Sequence, residues 1–96
     1  MATIEVRTAA PEKARLLIEQ ALGRERRLLL DAATRTRQKA SELALKTGAD
    51  LDALEAGLFP HPESQDMDLL ELEGELQLLR SLQEQLRILE SIEICP

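Results

Sequence analysis

Between Pro11 and Thr47 the chain carries one residue that disfavours a helix, Gly23, and a second uninterrupted stretch runs from about residue 66 to 91. Pro11 suits a first helical turn, where its missing N–H is not needed and its φ is already set. Gly23 costs about 1 kcal/mol relative to Ala, so a bend is expected near it. Gly48 is placed to end the helix in a left-handed cap. The residues between agree with this reading, since the chain has 20 Leu and 12 Ala against 5 Ile, 1 Val, 1 Phe and neither Tyr nor Trp. Leu and Ala favour helices, whereas β-branched and aromatic residues favour strands. A sandwich, a barrel and an α/β enzyme fold are thereby excluded.

The remaining segments follow from local chemistry. Ninety-six residues make one domain, 1–96. Asp50 caps a short helix over 50–56 that Gly57 ends. Phe59-Pro60-His61-Pro62-Glu63-Ser64 makes 57–65 a stiff loop, because each Pro drives its predecessor out of the helical region. Asp66, Asp68 and Glu71 favour the positive end of the second long helix. Residues 3–8 alternate with period two and predict a short strand, as do 92–95. Such strands need a partner, within the chain or across a dimer.

Residues 24–48 and 67–91 are 25 each, about 37 Å at 1.5 Å per residue, so the simplest fold is an antiparallel helical hairpin with residues 11–22 overhanging. Charge gives the register. Residues 1–48 hold 10 basic and 6 acidic side chains, and 49–96 hold 2 and 12. Placing Lys46 beside Met67 makes opposed numbers add to about 113. Arg37 and Lys39 then fall near Glu73 and Glu75, Lys46 near Asp66 and Asp68, Arg80 near Asp31 and Arg87 near Glu25. Ala33, Thr36 and Ala40 form a shallow groove for Leu72, Leu76 and Leu79.

On a helical wheel the second long helix is apolar over half its circumference. Leu72, Leu76, Leu79 and Leu86 form one stripe, and Leu78, Leu82 and Leu89 another. A two-helix contact needs only about 100°. The expected assembly is therefore a homodimer forming a four-helix bundle, with Leu72, Leu78, Leu79, Leu82, Leu86 and Leu89 as association residues.

Chemistry is sparse. His61 is the lone histidine, held between prolines, and reads as a loop residue. Glu71, Glu73 and Glu75 lack the Glu-x-x-His spacing of helical metal sites and read as helix-start acids. Cys95 has no neighbour that would lower its pKa, and a single Cys excludes a disulfide framework within one chain. No Gly-rich phosphate loop and no Ser/Thr with a partner base are present. The chain is thus expected to be non-enzymatic, without cofactor or metal. Arg24, Arg26, Arg27, Arg35, Arg37 and Lys39 are candidate phosphate contacts, opposed by the acids of the other half and unaccompanied by base-stacking aromatics. Neither a membrane span nor a secretory signal is recognisable, so a cytoplasmic location is expected.

The C-terminal two-thirds resembles a family of small prokaryotic helical proteins found in archaea and cyanobacteria. Ala40-Ser41-Glu42-Leu43-Ala44-Leu45-Lys46-Thr47-Gly48, Asp50-Leu51-Asp52-Ala53-Leu54, and the stretch from Leu70-Glu71-Leu72-Glu73-Gly74-Glu75-Leu76 to Ile92-Glu93-Ile94-Cys95 carry the likeness. Thr47 and Leu72 stand where the family tends to have aromatic rings. The resemblance implies the antitoxin-like half of a two-gene toxin–antitoxin module, docking a compact toxin protein. It carries over no catalytic residue. The readings in play are a protein-interaction module, a self-associating structural bundle, and a nucleic-acid binder acting through the first helix.

Overall fold

The computed structural model describes residues 2–48 and 67–94, which form two helices, α1 (Pro11–Thr47) and α2 (Met67–Glu90), packed as an antiparallel hairpin. The short helix expected over 50–56, the loop over 57–65, His61 and Cys95 lie outside the described residues.

Local chemistry sets the ends of α1. Pro11 occupies the first turn, and Ala10 before it supplies its carbonyl to the Ala14 N–H at 2.9 Å. The Ala10 N–H donates in turn to Thr8 Oγ1 at 3.1 Å, which steers the chain into the helix. Gly48 closes the helix at φ 72°, ψ 14°, its N–H donating to the Ala44 carbonyl. This is the one described glycine with positive φ, where a side chain would be strained.

Gly23, near which a bend is expected, does not interrupt α1, which is one continuous helix through it.

Among the described residues there is no strand. Residues 3–8 and 92–94 have no regular structure, in contrast to the expectation of short strands. Their period-two pattern has no neighbour to pair with among the described residues, and a lone strand has no ladder to hold it. The tail instead runs back over the first half of α1. The Ile92 N–H donates to the Leu89 carbonyl at 3.2 Å, and Arg15 Nη2 donates to the Ile94 carbonyl at 3.1 Å. The overhang expected for residues 11–22 is therefore partly covered, and Ala14, Ile18 and Leu22 are half-buried.

The core consists of two clusters along one seam. Near the turn, Ala40, Leu43 and Ala44 pack with Leu72 and Leu76, and Leu69 flanks them. Small residues on α1 let the helices approach closely there: Ala40 is 1% exposed, Leu72 0% and Leu76 1%. Farther along, Leu29 packs with Leu82 and Leu86, bordered by Ala32, Ala33 and Leu89. Thr36 and Leu79 are buried as well.

Ion pairs fix the register close to the expected one. Lys39 Nζ reaches Glu75 Oε1 at 3.2 Å and Lys46 Nζ reaches Asp68 Oδ2 at 3.2 Å, so opposed numbers add to 114. Lys39 also reaches Glu71 Oε1 at 3.1 Å, and Arg26 Nε meets Glu90 Oε1 at 3.3 Å. Glu25 and Arg87 do not pair, nor do Arg37 and Glu73. At the open end Arg26 takes the acid instead.

Candidate protein-interaction surface

The two helices use different seam patterns, and this decides which leucines remain outside. On α1 the seam runs Leu29, Ala33, Thr36, Ala40, Leu43, Thr47, in alternating steps of four and three. On α2 it runs Leu69, Leu72, Leu76, Leu79, Leu82, Leu86, Leu89, where one step of four is shortened to three. The average step is then about 3.3 residues against 3.6 per turn, so the stripe winds around α2 by about 27° per step.

This winding corrects the expected division into two stripes. Leu72, Leu79, Leu82 and Leu86, expected at an association surface, are buried inside the hairpin against α1. Leu89 is half-buried and borders the second cluster. Of the six, only Leu78 is exposed, at 47%. A straight wheel puts Leu82 and Leu89 on a separate face, whereas the wound seam makes them the continuation of the first.

The surplus apolar surface lies on one flank of the pair. Lys39 directly precedes the buried Ala40, and its partners Glu71 and Glu75 directly precede the buried Leu72 and Leu76. Lys46 and Asp68 likewise precede the seam residues Thr47 and Leu69. The residues one position before the seam on each helix therefore share one side of the hairpin. Leu78 precedes Leu79 on that side, Leu28 precedes Leu29, and Leu17 precedes the half-buried Ile18. Leu28 is 57% exposed, and Leu17 is exposed too. With opposed numbers adding to 114, Leu28 and Leu78 sit eight residues apart in level, about 12 Å along the axis. The half-buried Ala32 and Leu89 lie on the floor between the helices.

Charge frames this surface. The Glu71 carboxylate, and then that of Glu75, accept hydrogen bonds from the Lys39 ammonium and hold its pKa above the ordinary 10.5. Arg35, next to the same flank, is exposed and makes no ion pair among the described residues. Ile88, which precedes the seam residue Leu89, is exposed on the same flank, whereas Leu16, Leu30, Leu45 and Leu70 are exposed singly elsewhere around the helices, which is ordinary for a protein surface.

The candidate phosphate contacts do not form one site. Arg26 is taken by Glu90 and Lys39 by Glu71 and Glu75. Arg24, Arg27, Arg35 and Arg37 are exposed, but helical spacing places Arg37 well around the helix from Arg24 and Arg35. Two shallow, open depressions exist. One is bordered by Gln20, Gly23, Arg24, Arg26 and Arg27, and the other by Leu22, Arg26, Leu89, Ile92 and Ile94 among others. Among the described residues no group of His, Cys, Asp and Glu could hold a metal ion, and no helix is long and apolar enough to cross a membrane.

Leu17 and Leu28 were not among the association residues expected from sequence. Their signal was present, since each precedes a seam position of α1, but it becomes readable only when the seam of α1 is known. Comparison with protein-family models, curated proteins and solved structures finds no match to this chain.

Proposed function

We propose that this chain is a non-enzymatic protein-interaction module that docks another helical polypeptide across the flank bearing Leu17, Leu28 and Leu78. One observation carries the reading: large leucines from both helices share one side of the hairpin and stay exposed although the seam beneath them is already filled. Covering a Leu side chain fully is worth about 1.5–3 kcal/mol, and a partner helix laid along this side covers several at once. The depressions on the surface are open, one bordered mainly by Gln20 and arginines and the other by Glu19, Arg26 and aliphatic side chains, which offers binding area.

Two kinds of partner fit. In the homomeric form, two hairpins build a four-helix bundle, and the terminal segments with exposed Ile4, Val6 and Ile92 acquire a strand partner across the assembly. In the heteromeric form, the same flank docks a different protein, which the resemblance to antitoxin-like hairpins makes a compact toxin.

The test is a paired substitution, Leu28→Glu with Leu78→Glu. Both positions are exposed, so helix content by circular dichroism is expected to be unchanged. Association, read as the mass of the complex by light scattering, is expected to be lost. Retention of the same complex by the variant would remove this flank from the function.

A further inference from the structure

We infer that the occupant of the Leu28–Leu78 flank is a second copy of this chain, arranged with the two-fold axis parallel to the helices so that α1 of each copy lies against α2 of the other. This inference rests on the interaction-module reading and adds the identity and orientation of the partner.

The argument is one of charge. Helix α1 carries nine basic and five acidic side chains, a net of +4, whereas α2 carries two basic and six acidic ones, a net of −4. Within one chain these opposite charges already meet, through Lys39 and Lys46 on the flank itself and through Arg26 at the open end of the hairpin. The flank is a face made of both helices, so a second copy covers it in one of two symmetric ways.

With the two-fold parallel to the helix axes, each +4 helix stacks on a −4 helix, and all four neighbouring contacts in the bundle are antiparallel and of opposite charge. With the two-fold perpendicular to the axes, α1 stacks on α1 and α2 on α2, so both new contacts join like charges. Like-charge juxtaposition disfavours the second arrangement.

Residue levels agree with the first. Equal heights across the new contact again pair numbers adding to 114. Arg35, which makes no ion pair among the described residues of its own chain, then comes level with Leu78 and Leu79 of the second copy. It also lies within about one helical turn, 5.4 Å, of that copy's Glu75. Its aliphatic stem covers Leu78 while its guanidinium reaches an acid, the usual compromise for a long basic side chain at an interface. By symmetry the contact is made twice.

The experiment places one nitroxide label on the full chain at Gln20→Cys, with Cys95→Ser, and measures intermolecular distances by double electron–electron resonance. In the parallel arrangement the two labels share one level and lie within about 30 Å across the bundle. In the perpendicular arrangement, centred on the overlap of α1 and α2, each label sits about 15 residues from the centre and the pair is about 45 Å apart. A distance under 30 Å that disappears in the Leu28→Glu, Leu78→Glu variant supports the inference. A 45 Å distance overturns the orientation, and a chain monomeric at all concentrations overturns the second copy as occupant. In that last case, a different protein released by the same variant would leave the interaction-module reading standing, and a variant without effect on any complex would end both. Arg35→Glu provides a check that leaves the leucines in place. It is expected to weaken the dimer by up to about 25-fold, because one exposed pair is worth up to about fivefold and that factor applies twice. An unchanged dissociation constant would contradict the charge argument.

Discussion

Leu72→Ala probes the wound seam at its tightest point. Leu72 is fully buried among Ala40, Leu43, Ala44 and Leu76. The substitution removes three carbons, worth about 2.4 kcal/mol at about 0.8 kcal/mol each. It also leaves a cavity facing Ala40 and Ala44, whose methyl groups are too short to fill it, which raises the expected loss to about 3–4 kcal/mol. At about 4–8 °C per kcal/mol for a domain of this size, Tm falls by 12 °C or more. The control is Leu70→Ala, two residues away on the same helix and exposed. Its loss should stay within about 0.5 kcal/mol. Urea unfolding followed by circular dichroism measures both, at one fixed protein concentration because association adds to apparent stability. Equal losses for the two variants would refute the facing of α2.

Other outcomes follow from single features. Gly23→Ala and Gly74→Ala place a methyl group in open space within continuous helices, so each should stabilise by about 0.5–1 kcal/mol in thermal melts. The pair Lys39 with Glu71 and Glu75 stabilises while Lys39 is protonated. Its folded-state pKa is raised, so the contribution is complete below pH 10.5 and is lost as pH rises through the higher folded value. Tm of the native chain should therefore fall more steeply above pH 10.5 than that of Lys39→Met. Arg15→Met removes the hydrogen bond to the Ile94 carbonyl, and hydrogen exchange of residues 92–94 should become faster with α2 unaffected.

The backbone plan was legible because it depends on near neighbours. Pro11 and Gly48 mark the ends of α1 through their own φ preferences, and the structure ends α1 at the residue before Gly48. The antiparallel register was legible because Lys39 and Lys46 find acids at one consistent offset. Facing on α2 was only half legible. A wheel at 100° per residue assumes a straight seam, and the three-residue step from Leu79 to Leu82 turns it, moving Leu82 into the core and Leu89 to its border. The alternation in residues 3–8 and 92–94 was a genuine pattern, but a strand is a property of a pair and no pair forms among the described residues. The course of the tail depends on one long-range contact, Arg15 to Ile94, which no local pattern announces.

The most direct test isolates the tagged chain from its native lysate, wild type beside Leu28→Glu, Leu78→Glu, and determines the mass and composition of each eluate by light scattering and mass spectrometry. The prediction is that the wild type carries a second polypeptide in fixed stoichiometry, another copy or a different protein, and that the variant elutes alone at the monomer mass, 10.7 kDa plus the tag. A wild-type chain that itself elutes alone at that mass, or a variant that keeps the same companion, would contradict the account.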